Sequence, residues 1–453
     1  MIKKNKTMSG IARYLIATFA ILILSGTVAS ADLINGLHDG SNLTDSQLQG
    51  ANLAKAHLNR SDLSYSRLQG ANLSQSQMIG ADLSFAAAIG ANFSGAKMSR
   101  VSLQGSDLSK ANFSGADLTG ANMINANLSG ADLSGAVLQE ARMSGANLTR
   151  ANLKGSIMNS VNLTDADLTG ADMSRSSLSG SRMPGATLVG ANLANADLTG
   201  ANMDSVNLDD ADLTDSRLFS ANLMNARMRG VLLDGANLIA ARLSWADIKN
   251  CSMSRSQLSR AELYRTDLSG SDLAGSDFTR AYMMRSNLSG ARMDDADLSY
   301  ADLTEANLSW ASLKGAKIPN LDLTRADLSW ADLTGVSLEF TELVGTNLHE
   351  AKMIRATISR LAMRDVNLSG VDLSGAKISV SLMERVNLSG ADLRGASMNI
   401  VYITDADLSG ANLQKIKCDQ FTLPYLAASR LDGALMSETL HSQLNSSRVS
   451  PET

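Results

Sequence analysis

The 453-residue sequence is poor in the residues on which catalytic, metal and disulfide chemistry depends. It contains two cysteines, four histidines and four prolines, and aromatic residues make up 4% of the chain. No Cys/His cluster has the spacing of a metal site, no Gly-rich phosphate loop follows a strand pattern, and no GxSxG segment occurs. We therefore expect a protein that is not an enzyme and that uses no metal or other cofactor.

Strong charge of either sign is also lacking. The chain has 40 Lys and Arg against 45 Asp and Glu, a formal net charge of −5. A protein that binds nucleic acid without sequence preference neutralises phosphates with a clear excess of Lys and Arg. Nucleic acid is therefore not an expected partner.

Long hydrophobic runs are absent except near the N-terminus. Four basic residues come first: Lys3, Lys4, Lys6 and Arg13. An apolar run from Tyr14 to Leu24 follows, and Ala29-Ser-Ala31 supplies a cleavage site of the A-x-A type before Asp32. Residues 1–31 are therefore predicted to be a secretory signal peptide, followed by a short lead-in over 32–40, and the mature protein is expected in the bacterial periplasm or outside the cell. An uncleaved membrane tether is the alternative.

A five-residue period dominates the chain from residue 41 onwards. From Leu43 to Leu413 every fifth residue is Leu, Met, Ile or Phe, with Ala88 as the one exception, which makes 75 repeats without insertion or deletion. The residue two positions before each of these centres is nearly always small, although Leu321 and Leu361 are bulky. A unit this short cannot fold alone, so the repeats are predicted to stack into a solenoid.

The period fits neither a helix nor a continuous strand. Five residues advance an α-helix by about 140° beyond a full turn, which would spread the centres over its whole surface, and an odd period would send successive centres to opposite faces of a strand. A short extended run that ends in a corner fits better. The small residue and the centre then point inward, and the Asn or Asp between them is the outward residue. The two residues after the centre turn the chain, and the second of them, often Gly, is the corner residue.

The repeat resembles that of the pentapeptide-repeat proteins. The motif A(D/N)LxG occurs at Ala116-Asp-Leu-Thr-Gly120 and Ala391-Asp-Leu-Arg-Gly395, and a variant occurs at Ala191-Asn-Leu-Ala-Asn195. The resemblance covers residues 41–415. It implies an all-β solenoid, the right-handed quadrilateral β-helix of that family, in which four repeats form one square coil of 20 residues. About 19 such coils, stacked at roughly 4.8 Å, would extend on the order of 90 Å.

This closure predicts which residues stack. Phe93 is expected beneath Phe113 in a dry interior, and the many Met centres are interpreted as core filling rather than as a path for metal ions. Cys251 and Cys418 would both point inward about eight coils apart, too far for a disulfide. Both are therefore predicted to be free.

One surface patch departs from the repeat consensus. A corner column carries a tryptophan above several arginines, the adjacent corner carries two stacked tryptophans, and the side between them has a column of Asn and Asp beside serines. The residues of this candidate partner-binding face are Trp245, Arg265, Arg285, Asn287, Asn307, Trp310, Arg325 and Trp330. A solvated face with Arg and Asp ion pairs is the alternative.

The repeat pattern loosens after residue 415, and 416–453 are predicted to form a helical cap and tail. From Pro424 to about Ser447 the leucines are spaced mainly by four or five, and Pro424 is suited to the first position of a helix. Such a cap would cover the apolar end and the strand edges of the last coil. A helix that docks a partner is the alternative.

Two classes of function remain. The first is a non-catalytic, exported binding or structural scaffold that presents a rigid ladder to a protein or, preferably, to an extended glycan. The second follows from the family resemblance: a DNA-mimicking modulator of a type II topoisomerase, of the quinolone-protection type. The second requires cytoplasmic residence and a strongly acidic surface, whereas this chain has only local clusters such as Asp209-Asp210-Asp212-Asp215. The first class is preferred.

Overall fold

The computed structural model describes residues 37–447. The predicted signal peptide, most of the lead-in and the last six residues lie outside the described residues. The contacts divide the chain into two units, Met1–Arg217 and Leu218–Thr453. Within the described range, no helix is both long and apolar enough to cross a membrane.

In the first unit, each outward residue from Asn42 to Asp197 pairs with the outward residue 20 positions later. The first of these parallel bridges joins Asn42 to Asp62. The Leu43 N–H donates to the carbonyl of Asp62 at 2.6 Å, and the Asp62 N–H donates to the carbonyl of Ser41 at 2.9 Å. Because this register repeats along the unit, four repeats form one coil, as the family resemblance implied.

The corners of the first unit are β-turns, and many of them have a second supporting hydrogen bond. At the first corner, the Ser46 N–H donates to the carbonyl of Leu43 at 3.1 Å, and the corner residue Asp45 has a φ of 56°, which a type II turn requires at its third position. The outward side chains add a second bond, since Oδ1 of Asp62 accepts the N–H of Ser64 at 3.0 Å. This bond explains why Asn and Asp dominate the outward position.

The interior of the first unit is apolar and closely packed. Phe93 and Phe113 stack with ring centroids 4.8 Å apart and planes 5° from parallel, which confirms the prediction for this pair. Met123 is fully buried, as are the other centres of the unit's middle coils. At some positions where serine replaces the small alanine, its hydroxyl bonds to backbone, as Ser76 Oγ does to the carbonyl of Leu73 at 2.7 Å. At others the buried hydroxyl has no hydrogen-bond partner among the described residues, as at Ser66, Ser181 and Ser216.

The second unit has the same 20-residue register, and some of its repeats form short strands, although the corner residues there, such as Val380 and Ile400, keep a positive φ of 49° and 58°. The strands are β1 (Ser337–Glu339), β2 (Thr357–Ser359), β3 (Ala362–Arg364), β4 (Lys377–Glu384), β5 (Ser397–Thr404) and β6 (Lys417–Cys418). All pairs are parallel, in the order β1-β2-β4-β5-β6, and β3 also pairs with β4. The unit is therefore a parallel β-solenoid like the first.

The C-terminal cap contains two helices rather than one continuous helix. They are α1 (Leu423–Ala428), with Pro424 in its first turn, and α2 (Glu438–Ser447). Leu426 is buried on α1, whereas Leu435, which the leucine spacing assigned to the helix, lies between the helices and is 55% exposed. The prediction of a helical cap is confirmed, but the prediction that helical structure continues from Pro424 to about Ser447 was wrong.

The segment between the helices explains this break. Arg430 bridges to Asp407 and Leu435 bridges to Asn412, both in parallel orientation. The spacing is 23 residues instead of 20, because α1 occupies extra chain before the backbone returns to the coil edge. The segment thereby satisfies backbone groups that an exposed edge would leave unpaired.

The 20-residue closure predicts how the coil tolerates deletions. Removing residues 131–150 takes out one full coil and keeps every later column in register, so we expect a folded protein with cooperative unfolding and a Tm close to that of the parent. Removing residues 131–135 keeps the inward pattern but moves each later column by one side, so corner and outward contacts are lost and the Tm should fall. Circular dichroism during heating measures both. Equal Tm values for the two deletions would contradict fourfold closure.

Both cysteines are free, Cys251 buried and Cys418 partly buried. Burial raises the pKa of each thiol to about 11. Near pH 8 only about one thiol in a thousand is then ionised, and the thiolate is the reactive form. We expect a disulfide-exchange reagent to label the folded protein slowly at this pH and to label two thiols per chain rapidly in guanidinium. Fast labelling of Cys251 without denaturant would show that the coil opens locally.

Candidate functional site

Three aromatic side chains form a strip on one corner of the second unit. The rings of Trp310 and Trp330 stack with centroids 5.0 Å apart and planes 4° from parallel, and His349 meets Trp330 edge-on at 5.7 Å. Trp310 is 64% exposed and Trp330 42%. We name these three residues the tryptophan strip. Trp310 and Trp330 present flat apolar surface to solvent on two successive coils, and half-buried His349, hydrogen-bonded to Ser369 at 2.8 Å, packs against Trp330 on the next coil.

The two tryptophans occupy a strained backbone position. Both are corner residues, with φ of 63° and 64°. A residue with a Cβ costs roughly 1–2 kcal/mol in this region, and glycine does not. The same column holds Gly270 and Gly290 before the pair and Gly370 after it. The coil therefore holds both tryptophans at positions where glycine would adopt the same backbone conformation without strain.

Polar side chains on the adjacent side of the coil form an ordered column. The amide of Asn287 donates to Asp267 at 3.1 Å, and that of Asn347 donates to Asp327 at 2.9 Å. Asn307 lies between these two pairs, and the only hydrogen bond of its side chain within residues 37–447 is the one its oxygen accepts from the Ser309 N–H at 3.0 Å. Its amide donors are consequently available on the same coil as Trp310.

The serine column runs beside the outward residues. Ser269, Ser289, Ser309 and Ser329 each donate a backbone N–H to the outward side chain of the same repeat. The hydroxyls of Ser289, Ser309 and Ser329 make no hydrogen bond to another group of the described chain, whereas the Ser269 hydroxyl contributes to the bonds that Asp267 accepts. The side next to the tryptophan strip therefore carries hydroxyls and one amide that face solvent at regular intervals.

The neighbouring corner column has a separate cluster around Trp245. The guanidinium of Arg265 lies over the Trp245 ring at 4.7 Å and over the Tyr264 ring at 5.4 Å. Arg285 donates from Nε to Glu305 at 2.8 Å and from Nη1 to the Tyr264 hydroxyl at 3.4 Å. Tyr264 stands on the side of the coil that precedes this corner. The cluster is therefore built around that side and not around the asparagine column that follows the corner.

Charges in this region are mostly compensated. The hydrogen bond from Arg285 lowers the pKa of Glu305, and Arg325 lies 3.9 Å from the same carboxylate. Burial opposes ionisation of Asp267, but hydrogen bonds from Ser269 and the nearby Lys249 ammonium outweigh it and lower its pKa. Lys249 and Asp267 are 3.1 Å apart. These exposed pairs add little to stability individually.

The predicted face thus separates into two groups. The structure brings Trp310, Trp330 and the Asn307 coil together, and it gathers Trp245, Arg265, Arg285 and Arg325 with Glu305 on the other corner. Across the described residues, no hydrogen bond, ion pair or ring contact joins the two groups. His349 and Tyr264 were not predicted. His349 interrupts a column of serines, which the sequence shows, whereas the column of Tyr264 also contains Met224 and Met284 and gives no such signal.

The family model described as Pentapeptide repeats matches most of the chain. The matched residues are 41–78, 76–115, 111–150, 146–183, 184–215, 216–255, 251–290, 261–299, 291–329, 331–370 and 381–417. The chain belongs to the pentapeptide-repeat family. Membership confirms the resemblance drawn from the A(D/N)LxG motif and agrees with the parallel coils of both units.

Solved structures of the family are similar to parts of this chain. HetL, a pentapeptide repeat protein involved in heterocyst differentiation regulation in the cyanobacterium Nostoc sp. strain PCC 7120, is 31% identical over 51% of this chain and 89% of its own, with a TM-score of 0.20. QnrB1, a plasmid-mediated fluoroquinolone resistance protein, is 23% identical over 38% of this chain and 87% of its own, with a TM-score of 0.26. A pentapeptide repeat protein of the Arabidopsis thaliana thylakoid lumen is 24% identical over 28% of this chain and 88% of its own, with a TM-score of 0.24. No curated protein matches the chain.

Proposed function

We propose that this pentapeptide-repeat protein is a non-catalytic binding scaffold whose tryptophan strip holds an extended partner, preferably a linear glycan. The observation that carries the proposal is the exposed parallel stack of Trp310 and Trp330. Aromatic planes offer apolar surface to the faces of sugar rings, and their hydrophobic area dominates the energetics of many interfaces. The adjacent polar side supplies the groups that sugar hydroxyls need.

The polar groups beside the strip suit a ligand with many hydroxyls. The Asn307 amide provides donors, and the Ser309 and Ser329 hydroxyls can each donate and accept. Their repeat from coil to coil matches a ligand that is itself a chain of similar units. A regular backbone ladder also loses little conformational entropy when a ligand binds, so less of the interaction energy is spent on ordering.

A protein partner could use the same anchors, since tryptophan and arginine are enriched among residues that dominate protein interfaces. The glycan is preferred because hydroxyls and amides predominate on the side beside the strip. The one carboxylate next to the tryptophans on that side, Asp327, accepts hydrogen bonds from Ser329 and Asn347. An acidic DNA-like surface, which the topoisomerase alternative requires, does not surround the strip.

Replacing both tryptophans by glycine tests the strip without disturbing the coil. Trp310→Gly with Trp330→Gly restores the residue that the same column carries at Gly290 and Gly370, so we expect an unchanged or higher Tm. Loss of the stacked rings should weaken binding to soluble neutral glycans, such as cello-oligosaccharides and hydroxyethylcellulose, by about tenfold or more, which corresponds to roughly 1.4 kcal/mol. Affinity electrophoresis and calorimetry measure the change.

A matched control is available in the first unit. Tyr65 and Phe85 are also exposed, stacked corner residues, with centroids 5.3 Å apart. Tyr65→Gly with Phe85→Gly should leave glycan binding unchanged. Equal binding by the parent and the Trp310, Trp330 variant, with both folded by circular dichroism, would refute the glycan site. Failure of the parent to bind any neutral glycan would do the same.

Export is part of the proposal and rests on the N-terminal sequence. The basic residues, the apolar run from Tyr14 to Leu24 and Ala29-Ser-Ala31 have the order of a cleaved signal. We expect the mature chain to begin at Asp32 and to be recovered outside the cytoplasm. Cell fractionation with N-terminal sequencing measures this. A full-length chain in the cytoplasm would contradict export and favour the topoisomerase alternative.

A further inference from the structure

A second surface of the same unit is basic although the chain is acidic. Two segments 20 residues apart, Arg-Ala-Glu-Leu-Tyr-Arg at 260–265 and Arg-Ala-Tyr-Met-Met-Arg at 280–285, begin and end with arginine. Because residues 20 apart stack, the arginines mark the four corners of one side of the coil over two levels. We name Arg260, Arg265, Arg280 and Arg285 the arginine frame.

The frame carries more positive charge than its surroundings neutralise. Its two segments contain four arginines and one acidic residue, Glu262. Glu262 already pairs with Arg242 at 3.3 Å, and Arg285 pairs with Glu305 at 2.8 Å. Within residues 37–447, Arg260, Arg265 and Arg280 form no ion pair. Three guanidinium groups therefore face solvent without an ion pair. The hydrogen bond from Arg285 dominates the lowering of the pKa of Glu305, and Arg265 is close enough to that carboxylate to contribute to it.

Aromatic rings hold two of these groups in place. Arg265 lies over Trp245 and Tyr264, as described above, and Arg280 lies over the ring of Tyr300 at 5.6 Å. A ring occupies the flat face of a guanidinium and leaves the N–H groups at its edge free. Those edges can form paired hydrogen bonds with a carboxylate or sulfate. The arginines are consequently positioned as anion receptors.

A shallow depression lies at one edge of the frame. Its lining includes Arg260, Arg280, Ser259, Thr279 and Tyr300, and also the carboxylate of Asp277. Asp277 accepts the N–H of Thr279 at 2.8 Å and is not paired with either arginine. The two arginines outnumber this carboxylate, so the depression keeps a net positive charge. The two hydroxyls can contact uncharged groups of the same ligand.

Exposed rings lie within and beside the frame: Tyr282 between its two columns, and Tyr300 one coil beyond Arg280. Tyr282 is 59% exposed and Tyr300 is 56% exposed. Successive arginines of one column are separated by one coil, about 4.8 Å, a length comparable with one pyranose unit. The two columns are separated by three extended residues, about 10 Å. A linear polymer with one anionic group on each sugar, or on alternate sugars, matches these intervals.

We propose that the arginine frame binds the anionic groups of an acidic polysaccharide. Arg260, Arg265 and Arg280 contact the carboxylates or sulfates, Arg285 fixes Tyr264 through its hydroxyl, and Tyr282 and Tyr300 contact sugar rings. The proposal rests on the proposed binding function, because it names a ligand class for the same scaffold. It does not depend on the tryptophan strip.

Two acidic polysaccharides test whether the arginine frame binds carboxylates or sulfates. Polygalacturonate presents carboxylates and heparin presents sulfates, while dextran is a neutral control and a single-stranded oligodeoxynucleotide is a phosphate control. We expect the purified protein to bind at least one of the two acidic polysaccharides, more tightly than dextran or the oligonucleotide, with an affinity that falls as salt is raised. Arg260→Gln with Arg280→Gln should reduce that affinity by about tenfold or more, since two charge-assisted contacts are lost.

Arg100→Gln with Arg150→Gln is the matched control. Both are corner residues with φ near that of the frame, 57° and 56°, and neither forms an ion pair in the described part of the chain. The control removes the same charge from the first unit and should leave the affinity within about twofold of the parent. Circular dichroism of every variant shows whether the coil is intact.

The outcomes separate this proposal from the neutral-glycan site. A lower affinity for the acidic polysaccharide in the Arg260, Arg280 variant, without a similar change in the Arg100, Arg150 control, supports binding at the arginine frame. The frame is refuted if the parent binds neither acidic polysaccharide at low salt, if the control loses as much as the frame variant, or if the oligonucleotide binds more tightly than both polysaccharides. In each of these cases, comparing neutral-glycan binding by the parent and by the Trp310, Trp330 variant still tests the tryptophan strip independently.

Discussion

The structure depends on one hydrogen-bonded register, the parallel pairing of residues 20 positions apart. Outward residues of the inner coils both donate and accept through their backbone, as Asp62 does towards Ser41 and Leu43. The pairing forces centres to stack on centres and corners on corners. The Phe93 and Phe113 rings are parallel because their backbones are in register, and the surface columns follow for the same reason. An insertion within a repeat would break this correspondence for all later residues, which accounts for the uninterrupted period.

The corner residues are where this fold can vary at modest cost. Close packing restricts the centres and the small residues, so a change of even one methylene group in their size disturbs the interior. A corner residue projects into solvent and must only tolerate a positive φ, which Asp, Asn and Arg do throughout the chain. Trp245, Trp310 and Trp330 all stand at such positions. The surrounding coil over-determines this conformation, and because corner residues of both units share it, the positive φ does not by itself mark the tryptophans as a ligand site.

The proposed sites differ in physical character although both are built from the same columns. The tryptophan strip combines stacked apolar planes with hydroxyls and the free amide of Asn307. The arginine frame combines guanidinium groups on aromatic rings with a local excess of positive charge. Register aligns the units of each site at the spacing of the coils, so a repetitive ligand can meet several equivalent groups at once.

The sequence alone determined the inward pattern, the corners and the family, because a five-residue period leaves a polypeptide few ways to bury its apolar side chains. Given the fourfold closure implied by the family resemblance, it also placed Trp310 over Trp330, since backbone register decides that contact. It did not determine the direction in which long side chains lean: Arg265 and Arg285 turn towards Tyr264, away from the asparagine column. That choice depends on cation–π contacts and on Glu305 one coil away. The break between α1 and α2 was likewise decided by tertiary structure, because Arg430 and Leu435 pair with the last coil edge, and that need overrides the helical spacing of the leucines.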